Sequence, residues 1–488
     1  MNKSIFLIHI CLVGLTACAV KEEELEPQTL QLSATSLNTW AGLCNKIELS
    51  LRDVDGASVS SGYLRTINVS ADFGDLYSNA ACTQKILSIT LSPDGDGTSV
   101  YYSSPSAATP TIKISSSGLP AASISLIVTD PAAELVLGQA TFADNTLGTS
   151  SQAFQYPTNS VVAGDKLVVA DYYNSRILIW NTIPTSNQQA ADVVVGQANM
   201  TSSACNAGGI SAQTLCYPSS VHSDGTRLVV SDEGNHRVLI WTTIPSTNGE
   251  AADLVLGQPD MISNNDNQGA GPTATSLSYP ACVWISGSHL FVADGANNRV
   301  LIWNSFPTSN AAAANVVMGQ ANMTSNTNGV SATAFDYPYM VSVHNNKVYV
   351  SDFVNNRVVV WNNIPSANAT AASVVIGQPN MNSKTANNSG VGANTLFEPG
   401  GVAVDEQGRL YVVDFSNNRI LVWNQTPTTN GSSASMVLGQ TDFTSNAGNQ
   451  GGAPSESSLF SPWGITTHDG KLWISDFGNH RVLSYAIP

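Results

Sequence analysis

The chain has 488 residues, with 19 Lys and Arg against 35 Asp and Glu and a net charge of −16. Binding to nucleic acid needs clustered cations that displace counterions, and a balance this acidic argues against that class of partner. With 42% apolar residues the chain is long enough to bury two cores.

Residues 1–18 carry Lys3, an apolar run from Ile5 to Leu15, and then Leu15-Thr16-Ala17-Cys18. A basic start before an apolar run too short to cross a bilayer reads as an export signal. The last four residues resemble the lipobox of bacterial lipoproteins, which implies that Cys18 is lipidated and opens the mature chain. By the same resemblance Ala19, where retention in the inner membrane would show Asp, implies the outer membrane, on its periplasmic or cell-surface side. A single acyl chain binds only marginally, so the anchor implies more than one, and it is the only membrane contact expected. Residues 19–29, with Glu22, Glu23 and Glu24, hold too few apolar side chains to fold and form an acidic tether.

Residues 30–129 alternate apolar and polar positions, as in Ile47, Leu49 and Leu51 or Ile67, Val69, Ala71 and Phe73, between turns rich in Gly, Pro, Asp and Ser. That pattern predicts a β-sandwich. The stretches AGLC at 41–44, NAACT at 79–83 and SVYY at 99–102 resemble bacterial Ig-like domains, which implies a domain found on surface proteins. Of the seven cysteines, Cys11 falls in the signal and Cys18 is the anchor. Cys44 is expected to pair with Cys82 and Cys205 with Cys216, each bond contributing about 3–4 kcal/mol through loop entropy. Cys282 is left as a buried, inert thiol.

From residue 130 onward one pattern repeats. Asp-x-x-Asn-x-Arg recurs as Asp171 to Arg176, Asp232 to Arg237, Asp294 to Arg299, Asp352 to Arg357, Asp414 to Arg419 and Asp476 to Arg481, at intervals of 58 to 62 residues. Gly-Gln keeps the same beat at Gly138, Gly196, Gly257, Gly319, Gly377 and Gly439. Each unit reads as four short strands, with Trp180, Trp241, Trp303, Trp361, Trp423 and Tyr485 at one equivalent place. Such a period predicts an all-β, six-bladed propeller over 130–488. The last unit lacks a Gly-Gln strand and residues 133–139 lack a blade of their own, so the two are expected to pair and close the ring.

The stretch LVVSDEGNHRVLIW at 228–241 resembles the NHL repeat family. The resemblance implies the propeller and leaves function open, since that family spans lyases, lactonase relatives, RNA binders and scaffold domains. A motif needed six times serves the ring. Asn174, Asn235, Asn297, Asn355, Asn417 and Asn479 suit left-handed turn positions. The Asp is expected to accept hydrogen bonds from that turn. The Arg is expected to pair with an acid at the blade boundary, a contact worth about 0–1 kcal/mol if near the surface.

Ligands of propellers sit where the innermost strands begin, here after the recurrent Pro at Thr158-Asn159, Ser219-Ser220, Ala281-Cys282, Tyr339-Met340, Gly400-Gly401 and Trp463-Gly464. Asn159, Ser220, Tyr339 and Trp463 are the candidate ligand face. Peptide-amidating lyases, which resemble this chain in their repeats, carry zinc-binding His directly after that Pro, and no blade here does. His222, His344 and His468 lie farther along, four and six residues past their Pro, at unequal levels. No metal and no cofactor are expected. The Asn-, Ser- and Gly-rich loops after each Gly-Gln are expected to fan over the mouth and recognise a partner. The reading is a lipid-anchored envelope protein whose propeller is a non-catalytic module for protein or polysaccharide. The alternative is a metal-dependent lyase or lactonase-like hydrolase acting at the channel mouth.

Overall fold

The computed structural model describes residues 27–34 and 36–488, so the signal, Cys18 and most of the tether lie outside the described residues. Every regular element described is a β-strand or a 3₁₀ turn of three or four residues. The described part of the protein is all-β.

The N-terminal part is built from two four-stranded sheets. One runs Thr29–Ala34, Asn45–Arg52, Gly97–Ser103, Asp75–Tyr77, and the other Ser88–Leu91, Arg65–Ala71, Thr111–Ser116, Leu119–Ser125. Strict alternation in Asn45–Arg52 turns Ile47, Leu49 and Leu51 inward, where they meet Ile67, Val69, Ile112 and Ile114 of the other sheet. Trp40 and Leu43 leave this core and join Ala133, Met436 and Tyr485. Trp40 stands edge-on to Tyr485 at 6.2 Å, and Asn424 Oδ1 accepts the Cys44 amide at 3.1 Å, so the N-terminal part is seated on the rest of the chain. Both expected disulfides form, with Cα separations of 5.9 Å for Cys44–Cys82 and 4.4 Å for Cys205–Cys216.

Beyond residue 134 four-stranded antiparallel sheets repeat in a β-propeller arrangement. The first complete one is Pro157–Ala163, Lys166–Asp171, Arg176–Trp180 and Val193–Val195, nearly all of it buried. Its strands are continuous Val, Ile and Leu runs because neighbouring sheets cover both faces. Each innermost strand packs on the next, and Pro157–Ala163 also packs on Pro462–His468. Leu135–Leu137 pairs antiparallel with Arg481–Ala486, Val136 opposite Leu483, and completes the last sheet from upstream. The repeated Trp rings fill the space between sheets, and each Nε1 donates to a carbonyl nine residues on, as Trp180 does to Gln189 at 3.0 Å.

The repeated motif differs from expectation in two respects. The Arg does not seek an acid at a boundary near the surface. Its Nε donates to the Asp of its own motif at 2.7 to 2.8 Å, with both side chains fully buried, in every copy. The second Asp oxygen accepts a backbone amide two residues before the recurrent Pro, for example Gln155 to Asp171 at 2.7 Å. The remaining Arg nitrogens donate to carbonyls of the loops on either side, for Arg176 those of Ser150, Ala153 and Met200. Arg481 reaches Phe142 in the same way and ties the last sheet to the first loop. Nor do the motif Asn residues take the left-handed position, since Asn174 is buried and spends its amide on Asp171 and Gly148. The residue after each Asn is left-handed: Ser175, His236, Asn298, Asn356, Asn418 and His480, with φ between 49° and 55°. A short turn between two strands leaves that place for the residue that must reverse the chain into the Arg strand.

Candidate functional site

The bond that the amide two residues before the Pro donates to the motif Asp holds three positions of the blade near one another at the end where the innermost strand begins. They are the residue before the Pro, the one after it, and the one after the motif Asp. The motif atoms are constant while these three positions vary. After the Asp stand Tyr172, Glu233, Gly295, Phe353, Phe415 and Phe477. Four of these, with residues flanking the Pro and Tyr173, line a cup of about 310 Å³: Thr158, Tyr172, Tyr173, Glu233, Tyr337, Tyr339, Phe353, Trp463 and Phe477.

The walls are locked by ring contacts. Trp463 lies 4.4 Å from Phe415, 4.7 Å from Tyr339 and 5.3 Å from Phe477, while Tyr172 stacks on Tyr217 at 5.3 Å. Gly400 lets the neighbouring inner strand approach Trp463, since a Cβ there would come within 2.6 Å of the Trp463 carbonyl.

Glu233 is the one acid in this cup. Burial pushes its carboxyl up to about 7, against the hydroxyls of Ser219, Tyr172 and Tyr337, which favour the charged form. Its Oε2 is buried and has no hydrogen-bond partner. Burial and the nearby Glu233 push the hydroxyls of Tyr172, Tyr337 and Tyr339 up, so these tyrosines stay neutral. Among the described residues no Lys, Arg or His lines the cup.

A stability effect follows with a definite sign. Below the ordinary glutamate value of 4.5 the side chain is protonated in both folded and unfolded chains, and its burial then carries no charge penalty. As pH rises from there to about 7 the unfolded chain releases the proton first, and the folded state loses up to roughly 3 kcal/mol. Glu233→Gln is therefore expected to match the parent in acid and to be more stable at neutral and higher pH, a difference that urea denaturation across pH will read.

Of the expected ligand face, Tyr339 and Trp463 lie in the cup, whereas Asn159 and Ser220 do not. A register shift between Pro157 and Asn159, repeated at Pro218 and Ser220, turns the first residue after the Pro toward the cup and the second into the channel wall. There Asn159 Oδ1 accepts the Val221 amide at 3.1 Å and the Ser220 hydroxyl meets Cys282 Sγ at 3.5 Å. The channel is nearly filled at this level, with about 10 Å³ free. Cys282 is buried, and burial pushes its thiol up to about 11, which keeps it unreactive. The long loops contribute little to the cup lining, and the motif Arg residues tie several of their carbonyls down. Only Tyr337, at the end of its loop, lines it.

The three histidines lie away from the cup. Trp284 sits between His222 at 4.1 Å and His344 at 5.3 Å, and burial pushes these imidazoles down to about 3 and about 4, so both are neutral. His468 lines a separate polar opening with His344, Asp405 and Asp469. Among the described residues no three His, Cys, Asp or Glu converge closely enough to hold a metal ion. Sequence reasoning missed Tyr172, Glu233, Phe353 and Phe477. The available signal was the free position after each motif Asp, where a carboxylate stands once among aromatic side chains.

Residues 398–423 match the NHL repeat. No curated protein matches the chain. Among solved structures, a protein of unknown function from Bacteroides thetaiotaomicron is similar at 15% identity over 94% of this chain and 98% of its own, with a TM-score of 0.45. Virginiamycin B lyase from Staphylococcus aureus is similar at 11% identity over 68% of this chain and 96% of its own, with a TM-score of 0.37. These likenesses concern the fold alone.

Proposed function

We propose that the chain is a lipid-anchored bacterial envelope protein. In this reading Cys18 holds it in the outer membrane, residues 19–29 are a tether, and an Ig-like domain at 30–129 spaces a closed six-bladed NHL-type propeller at 130–488 away from the surface. The propeller is a non-catalytic binding module, and its partner is a protein or polysaccharide that presents a residue-sized group to the cup. The observation that carries this reading is the cup itself, a concave, ring-walled recess with two unpartnered polar atoms among the described residues, Glu233 Oε2 and Trp463 Nε1, placed where the repeat is free to vary. A single carboxyl with neutral tyrosines and no histidine favours recognition over the metal-dependent lyase or hydrolase.

Retention of envelope protein and polysaccharide fractions on the immobilised protein tests the reading. Trp463→Ala is expected to weaken retention by about tenfold or more, and His468→Ala at the other end to leave it unchanged. Equal retention by Trp463→Ala, or chelator-sensitive turnover of a retained fraction, contradicts it.

A further inference from the structure

Glu233 is not needed by the fold. The same turn is built with Tyr172, Gly295, Phe353, Phe415 and Phe477 in the other blades, each with its Asp, Asn and Arg bonds intact. A carboxyl at that place is desolvated by rings, and it lowers stability where it is charged. Among the described residues its Oε2 is buried without a hydrogen-bond partner, and the side chain lines the aromatic cup. Among the described residues no cation lines the cup beside it.

We propose that the cup takes an alkylammonium group, a cation on a short stem, seated among Tyr172, Tyr339 and Trp463 and paired with Glu233. The inference rests on the cup being the binding site. Aromatic rings attract cations through their negative faces, and the attraction grows when water is excluded. A neutral sugar or aliphatic group would fill the same volume, and a hydroxyl would give Oε2 a hydrogen bond, but neither offsets a buried negative charge. The ammonium supplies the missing counter-charge. The blocked channel beneath admits only the head of such a ligand, so its stem points outward to whatever polymer carries it.

The groups facing Glu233 are Tyr172 from the first blade, Ser219 from its own and Tyr337 from the fourth, with Tyr339 beside them, and none of these changes charge near neutrality. Binding of a cation therefore requires ionised Glu233, releases protons below about pH 7, and weakens in acid.

The test is calorimetric titration of the lipid-free protein with choline and with its uncharged carbon isostere, dimethylbutanol, at about pH 8 and about pH 5.5. Choline is expected to bind at least about tenfold tighter than the alcohol at the higher pH, and more weakly at the lower. Glu233→Gln is expected to erase that preference while remaining folded by circular dichroism. No choline binding, equal binding of the two probes, or an undiminished preference in Glu233→Gln overturns the inference. Retention of an envelope fraction that Trp463→Ala abolishes but choline does not compete would leave the cup as the binding site and remove only its cationic ligand. Retention unaffected by Trp463→Ala would remove the cup.

Discussion

Arg357→Ala will destabilise the propeller by about 3–5 kcal/mol, read from the midpoint of urea denaturation. The guanidinium donates to Asp352 at 2.7 Å, to the carbonyls of Ser331 and Ala334 at 2.8 and 2.9 Å, and to that of Met381. Its removal leaves a buried carboxylate without a counter-charge and three carbonyls without donors. The loss comes from abandoned partners more than from the pair itself. Asp352→Leu combined with Arg357→Met is expected to recover part of it, because an apolar pair leaves no charge uncompensated in the interior. A loss below about 1 kcal/mol for the single variant would mean that the pair behaves as a surface contact.

Val136→Asp will have an effect of similar size by a different route. Val136 is fully buried, opposite Leu483 in the pairing that joins the start of the repeat region to its end. A carboxylate there has no partner and loses the burial of the valine, a cost of several kcal/mol. Local failure has a wider consequence, since it uncovers Arg481–Ala486 as an edge strand. Unpaired edges associate, so concentration-dependent aggregation by light scattering is expected along with the lower midpoint. A variant that stays monomeric with an unchanged midpoint would show that residues 133–139 do not close the ring.

The scaffold was readable because its physics repeats. Asp171, Arg176 and their equivalents recur at a fixed interval, and a repeated residue signals the ring before any coordinate is known. The pairing of Leu135–Leu137 with the final strand followed from a missing strand at one end and a spare one at the other. What the motif atoms do was not readable. Whether an Arg meets the Asp five residues before it or an acid across a boundary depends on the turn, and the turn placed the left-handed residue one position later than the Asn pattern implies.

Of the four residues expected on the ligand face, two line the cup and two do not. Tyr339 and Trp463 follow their Pro directly, whereas Asn159 and Ser220 come one residue later, and one residue along a strand reverses the direction of a side chain. Glu233 stayed hidden because it sits inside the motif that marks the fold, where attention goes to the constant letters. Its meaning appears only when six turns are superimposed and five prove to work without an acid.

The most direct measurement is hydrogen–deuterium exchange of the protein with and without the envelope fraction it retains. Protection is expected in peptides carrying Tyr172, Glu233, Tyr339 and Trp463, with none at His344, Asp405 or His468 on the other opening. Protection confined to that other opening, or spread over the outer loops with the cup unchanged, would contradict the assignment of the cup as the working face.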